Sequence, residues 1–349
     1  MNRLLLLCLL CAAPSLCTAT RPADTLRTAA RYLIDDDYLA DPAARVIDGR
    51  LWVYTSHDRV SEVTDRTDGN HYDMRDYCVV SLDPNDPHGA VERHDAILTL
   101  DRVPWASRQL WACDAVRRGN TVCLCFCARD REGMFRIGIA RSDRPEGPFT
   151  ADPEPIPGTY SIDPALFEEE GACYLYFGGL QGGQLQRYRD NRPLDEDRFP
   201  APGEAALPAR VARLSDDLRS LAEEPRPVAI LDERGEPLRA DDSHRFFEAA
   251  WIHKRGDTYY FSYSTGGSHL ICYATGDNPY GPFTYRGVVL TPVVGWTTHH
   301  SIVEYGGRWW LFHHDSTPSG GISSLRSAKV CELEYAPDGT IRTIPGGRP

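Results

Sequence analysis

Five residues of chemically useful type fall at one phase of an internal repeat. Segments 43–57, 114–127, 164–177, 249–263 and 301–313 share a pattern of apolar residues, a polar turn with glycine, then an alternating, aromatic-rich run. Their turn glycines are Gly49, Gly119, Gly171, Gly256 and Gly307, and eight residues before each stand Asp41, Trp111, Asp163, Glu248 and His299. An aspartate before proline is ordinarily a turn residue, and Asp41-Pro42 and Asp163-Pro164 taken singly fit that description. Three carboxylates at one repeat phase do not. Glu248 stands out most, because it lies in Phe246-Phe247-Glu248-Ala249-Ala250-Trp251, where a buried charge is costly without a partner or a function.

Two carboxylates facing each other across a pocket are the minimal equipment for cleaving a glycosidic bond. One stays protonated to donate to the leaving oxygen, and the other stays ionised to activate water. An apolar surround and a neighbouring carboxylate both raise the proton affinity of the first. Glu248, framed by Phe246, Phe247 and Trp251, suits the acid; Asp41 suits the base; Asp163 is the third group, tuning and orienting the acid. Trp111 shares the phase and is the candidate sugar-stacking residue. Trp105, Arg108, Gln109, Gln184 and Trp296 are weaker candidates, with Trp105 and Trp296 expected to be core or loop anchors.

The elements that must position these residues follow from the repeat. Each segment reads as a strand, a glycine turn and a strand of period two. The stretch 140–149 matches 274–283, each a third strand, a Pro/Gly turn and a fourth strand. Hairpin plus hairpin makes a four-stranded blade, and five repeats make an all-β chain: a five-bladed β-propeller in one domain, residues 20–349. Inner strands line the channel of a propeller, so equivalent positions converge on its axis. A β-sandwich would leave the repeated neighbour unexplained. Helical spacing appears weakly near 211–222, and 182–244 reads as a long insertion able to cover the pocket.

Composition narrows the partners. With 349 residues and a formal net charge of −12, the chain is suited neither to nucleic acid nor to an anionic membrane surface. An oligosaccharide or polysaccharide fits better. Residues 1–19 read as a cleaved signal peptide: Arg3 gives a positive start, 4–13 is apolar, and Cys17-Thr18-Ala19 offers a cleavage site. Leu16 disfavours a lipid anchor at Cys17, and no later run is long and apolar enough to span a membrane. The protein is therefore expected to be exported. Cys78, Cys113, Cys123, Cys125, Cys127, Cys173, Cys272 and Cys331 contain no C-x-x-C pair and read as buried thiols.

With those residues in place, the chain resembles glycoside hydrolase family 43, and most of all its β-xylosidase and α-L-arabinofuranosidase members. The matching stretches are Ala40-Asp41-Pro42, Tyr160-Ser161-Ile162-Asp163-Pro164, Arg245-Phe246-Phe247-Glu248, Thr297-Thr298-His299-His300-Ser301 and Leu325-Arg326-Ser327. The resemblance implies inversion, with Asp41 as general base, Glu248 as general acid and Asp163 as the tuning aspartate. It implies a water-ligated calcium, or sodium, beside His299, and an Arg326 that reaches sugar hydroxyls. It also implies release of xylose or arabinose from xylan- or arabinan-derived oligosaccharides. Cys113 and the alternating cysteines 123, 125 and 127 depart from the family pattern. A non-catalytic sugar-binding propeller and an endo-acting arabinanase are the alternatives. A retaining fructosidase would need an Arg-Asp-Pro segment that the chain lacks.

Overall fold

The structure is a computed structural model and describes residues 30–348 apart from Asp65 and Pro87. The expected signal peptide, residues 1–19, lies outside the described residues. Each sequence repeat is a hairpin: Leu39–Ile47 with Arg50–His57, Cys113–Arg118 with Thr121–Asp130, Ala165–Glu169 with Ala172–Phe177, Glu248–Arg255 with Thr258–Ser264, and His300–Tyr305 with Arg308–Asp315. The five turn glycines all have positive φ, between 57° and 83°. That left-handed geometry suits a two-residue turn matched to strand twist.

Outer strands complete five antiparallel sheets, blades I to V in chain order. Blade I adds Asp76–Ser81 and Glu92–Thr99, and blade II adds Phe135–Ser142 and Thr150–Ala151. Blade III adds Arg210–Arg213 and Arg226–Pro227, and blade IV adds Ile271–Gly276 and Phe283–Leu290. In blade V the hairpin pairs with Ser327–Leu333, and the outermost strand, Arg31–Tyr32, comes from the start of the described chain. This exchange closes the ring, so opening any blade exposes apolar faces on two neighbours.

The stretch near 211–222 is not helical. Val211, Leu214 and Leu218 are all buried, but from a strand followed by a turn. Their helix-like spacing arises because Ser215–Leu218 reverses the chain. Nor is 182–244 chiefly a lid. It supplies the outer strands of blade III and then a short strand, Ile230–Leu231, that pairs in parallel with blade IV. Only its first residues reach the pocket.

The eight described cysteines are buried and unpaired. Cys123, Cys125 and Cys127 point into one inter-blade core, while Val122, Leu124, Phe126 and Ala128 point into the next. The cysteines thus serve as small apolar side chains on a strand buried on both faces. Trp105 stacks on Phe126 in the core, as expected, and Trp310 is buried in one core while Trp309, on the other strand face, packs partly against another. Near the axis, the Arg45 guanidinium lies 4.1 Å from the Trp251 ring and donates to Asp114, whose other oxygen accepts the Leu166 N–H at 2.6 Å. One buried aspartate therefore joins blades I, II and III.

Candidate active site

All five residues at the shared repeat phase line one cavity of about 430 Å³ at the end of the channel: Asp41, Trp111, Asp163, Glu248 and His299. That volume is in the range of small-ligand sites. The backbone bends to deliver the carboxylates. Asp41 and Asp163 have φ of 51° and 57°, and a bulge interrupts pairing between Ala40 and Ala43 and again between Glu248 and Trp251. Residues before proline avoid the right-handed helical region, and aspartate tolerates the left-handed one better than most. The Asp-Pro pairs are therefore turn residues in backbone and functional candidates in side chain.

Asp41 is held by three residues. Ser56 Oγ donates to its Oδ2 at 2.5 Å, and Arg326 Nη1 and Nη2 donate to Oδ1 and Oδ2 at 2.8 and 3.2 Å. Its main-chain N–H donates to His314 Nδ1 at 3.1 Å. His314 Nε2 faces the Thr297 carbonyl at 3.1 Å. A carbonyl can only accept, so Nε2 carries the proton and Nδ1 is free to accept. Burial keeps His314 neutral, down to about 3. For Asp41 itself, burial pushes upward most strongly, but Arg326, His314, His299 and Ser56 together outweigh it and hold the carboxyl at about 2.

Arg326 spends its five N–H groups within the protein. Nε and Nη2 donate to Asp58 at 2.8 Å, and the remaining Nη1 proton goes to Thr297 Oγ1 at 3.2 Å. The arginine lines the cavity but is aimed at Asp41 and Asp58 rather than at open space. It also ties blade V to blade I and holds the base. Asp58 shares that guanidinium. Burial raises it, Arg326 pulls it down and the Asp41 charge pushes it up again.

The opposite wall has the opposite electrostatics. Glu248 is raised well above its usual value, first by burial and then by Asp163 and Asp41. Burial, with the Asp41 charge adding, lifts Asp163 to about 8. Asp163 Oδ2 accepts the Ala249 N–H at 2.8 Å, fixing the backbone next to Glu248. The site thus holds one carboxylate locked in its ionised form and two more that favour keeping a proton.

A loop arch closes the cavity over blade II. Residues 66–72 from blade I and 180–184 from blade III meet there, so closely that a Cβ on Gly182 would lie 2.9 Å from the Asp68 carbonyl oxygen. Arg129 Nη2 donates to the Asp68 and Gly182 carbonyls at 2.8 and 3.4 Å. Gln109 Nε2 donates to Gly69 O and Trp111 Nε1 to Tyr72 O, both at 2.9 Å. Gln184 bridges to the Phe135 N–H and the Gly133 carbonyl. Gln109 and Gln184 therefore support the arch, and the cavity-lining residues do not include them or Arg108. Trp296 departs from expectation: it is not an anchor in the core but 50% exposed at the cavity rim. Sequence reading missed Ser56, Tyr72, Arg129 and His314 and found no role for Asp58.

Comparison with known proteins agrees with this geometry. Residues 91–341 match the sequence model of Glycosyl hydrolases family 43. A xylosidase/arabinosidase of Bacteroides ovatus is 55% identical over 323 residues, covering 92% of this chain and 99% of that protein. A beta-xylosidase of Xylanibacter ruminicola is 52% identical, covering 90% and 99%. The crystal structure of the GH43_1 enzyme from Xanthomonas citri complexed with xylotriose superposes with a TM-score of 0.86 at 52% identity, covering 92% of this chain and 95% of that one. A propeller with three carboxylates on its axis, matched across nearly its whole length by such relatives, belongs to glycosyl hydrolase family 43 and is a glycosidase.

Proposed function

We propose that the protein removes terminal xylosyl or arabinofuranosyl units from xylan- or arabinan-derived oligosaccharides with inversion. Asp41 activates water and Glu248 protonates the leaving oxygen. The observation that carries this reading is the electrostatic asymmetry of the site: Asp41 is held at about 2 while Glu248 is raised well above the carboxylate range. Base and acid are thus in their working forms together between mildly acidic and neutral pH. Asp163 orients the acid through Ala249 and adds to its proton affinity. The arch over blade II favours a pocket that takes a chain end over a groove that takes a chain middle.

His299 is the proposed contact for a cation. Its Nδ1 is buried without a partner, and burial keeps the ring neutral. Calcium takes six to eight oxygen ligands. The described residues around His299 offer no group of three His, Cys, Asp or Glu side chains at ligand spacing. The donor set therefore fits an ion carried in a shell of water with the imidazole as one contact, and such an ion would supply positive charge to the channel. We further propose export with cleavage after Ala19, which N-terminal sequencing of the secreted protein tests.

The test of function is hydrolysis of 4-nitrophenyl β-D-xyloside and 4-nitrophenyl α-L-arabinofuranoside, with calcium and with chelator, while proton NMR follows the product anomer. First appearance of α-xylose from the β-xyloside is expected. First appearance of β-xylose, or no turnover of either substrate, would sink the reading.

A further inference from the structure

Trp296 is an exposed indole beside a cavity whose other aromatic residues, His71, Tyr72, Trp111 and Phe247, are partly or wholly buried. Six large hydrophobic side chains are exposed among the described residues, and Trp296 is the one of them that lines the cavity. Leaving an indole half in water forfeits a large hydrophobic contribution, so its position calls for an occupant. The residue is not loose. Its carbonyl accepts His269 Nδ1 at 2.8 Å, and its ring meets the His269 ring edge-on, with centroids 4.6 Å apart at 75°.

The next residue ties it to the catalytic machinery. Thr297 receives Arg326 Nη1 on its hydroxyl and His314 Nε2 on its carbonyl. Trp296 is thus one peptide away from the groups that fix Asp41. It belongs to the connection between blades IV and V, the side on which Glu248 begins the inner strand of blade IV. The arch closes the blade II side and reaches Phe247 through Leu180, whereas Trp296 stands beside blade IV: Thr298, two residues on, accepts the Ser264 hydroxyl on its carbonyl, and Ser264 pairs with Glu248. A general acid must face the bond to the leaving group, so the leaving part of the substrate exits past Glu248 toward this wall.

We propose that Trp296 is the stacking platform for the sugar ring on the leaving-group side of the scissile bond, and so sets the preference for oligosaccharides over simple glycosides. The ligand class is a pyranose ring, whose C–H face packs on the indole while its hydroxyls stay in water. This assignment rests on the function proposed above.

The test compares xylotriose, which places sugars on the leaving-group side, with β-D-xylosyl fluoride, which places none. The quantity read is the ratio of the two kcat/KM values in wild type, Trp296→Ala and Trp296→Phe. In Trp296→Ala the ratio should fall about tenfold, the size of one aromatic stacking contact, through a raised KM for xylotriose. Trp296→Phe should recover it to within about threefold. An unchanged ratio in Trp296→Ala, or equal losses on both substrates, overturns the assignment. A wild type inert on both substrates overturns the proposed function instead, and this assignment with it.

Discussion

Replacing Arg326 by methionine keeps much of the side chain's length and removes its charge. In the wild type this guanidinium contacts both oxygens of Asp41 and both of Asp58, all three side chains being buried. Holding Asp41 at about 2 against its usual 3.8 corresponds to roughly 2–3 kcal/mol, at about 1.4 kcal/mol per tenfold change in proton affinity. Without Arg326 the burial that already pushes Asp41 upward loses its strongest opponent, with only Ser56 and the two histidines left against it, so its pKa should rise past 3.8. The acid limb of kcat/KM, below the practical assay range in the wild type, should then appear above pH 4. The sign is that of a depressed carboxylate: the wild-type contribution to stability is present above the unfolded-state value and lost as pH falls through about 2. Leaving two buried carboxylates without their cation should also cost about 3–5 kcal/mol of stability, so the profile is taken where Arg326→Met is shown to be folded. Ser56→Ala removes one neutral donor to Asp41 and should move the limb the same way by less. A folded Arg326→Met whose acid limb stays below pH 3 would refute the reasoning.

Two further outcomes follow from groups around the site. His57 is raised to about 11, first by its bond to Asp76 and then by Cys78, and its other nitrogen lies 3.0 Å from Asp37. A raised histidine stabilises fully below its unfolded value near 6.5 and loses that contribution as pH climbs through 11. The gap in urea midpoint between wild type and His57→Gln should therefore be largest at pH 6 and narrow toward pH 10; a constant gap would contradict this. Tyr72 is buried at the cavity wall with the Ser323 side chain as its hydrogen-bond partner, whereas Tyr54, Tyr77 and Tyr263 all donate to carbonyls. Tyr72→Phe should lower the unfolding free energy by about 1 kcal/mol, and an unchanged or higher melting temperature in that variant would contradict that bond.

The blades and the axial carboxylates were legible because a propeller writes its architecture as a repeat. One glycine turn per hairpin sets a common origin, and a fixed offset from it lands on the channel. The groups that tune those carboxylates were not legible. Arg326 and Asp41 are 285 residues apart, and Asp41 and His314 are 273 apart, so their pairing exists only once blade V closes on blade I. Asp58 was illegible for the same reason, because it acts through Arg326 from the far end of the chain. Trp296 was misjudged for a related reason. A tryptophan in a loop usually anchors, and its exposure depends on where the connection between blades IV and V passes over the cavity. The segment 182–244 looked like a cover because its strands are short and lie far from the blade III hairpin they extend.

The division of labour between Asp41 and Glu248 is tested most directly by kcat/KM of Asp41→Asn and Glu248→Gln on two substrates with different leaving groups. Nitrophenolate leaves with little protonation, whereas the sugar alkoxide of xylobiose needs a proton. A general acid or base contributes about 10²–10⁴-fold. Asp41→Asn should lose activity in that range on both 4-nitrophenyl β-D-xyloside and xylobiose. Glu248→Gln should lose it on xylobiose and far less on the nitrophenyl substrate. The reverse pattern, with Glu248→Gln equally impaired on both and Asp41→Asn sensitive to the leaving group, would contradict the assignment of base and acid.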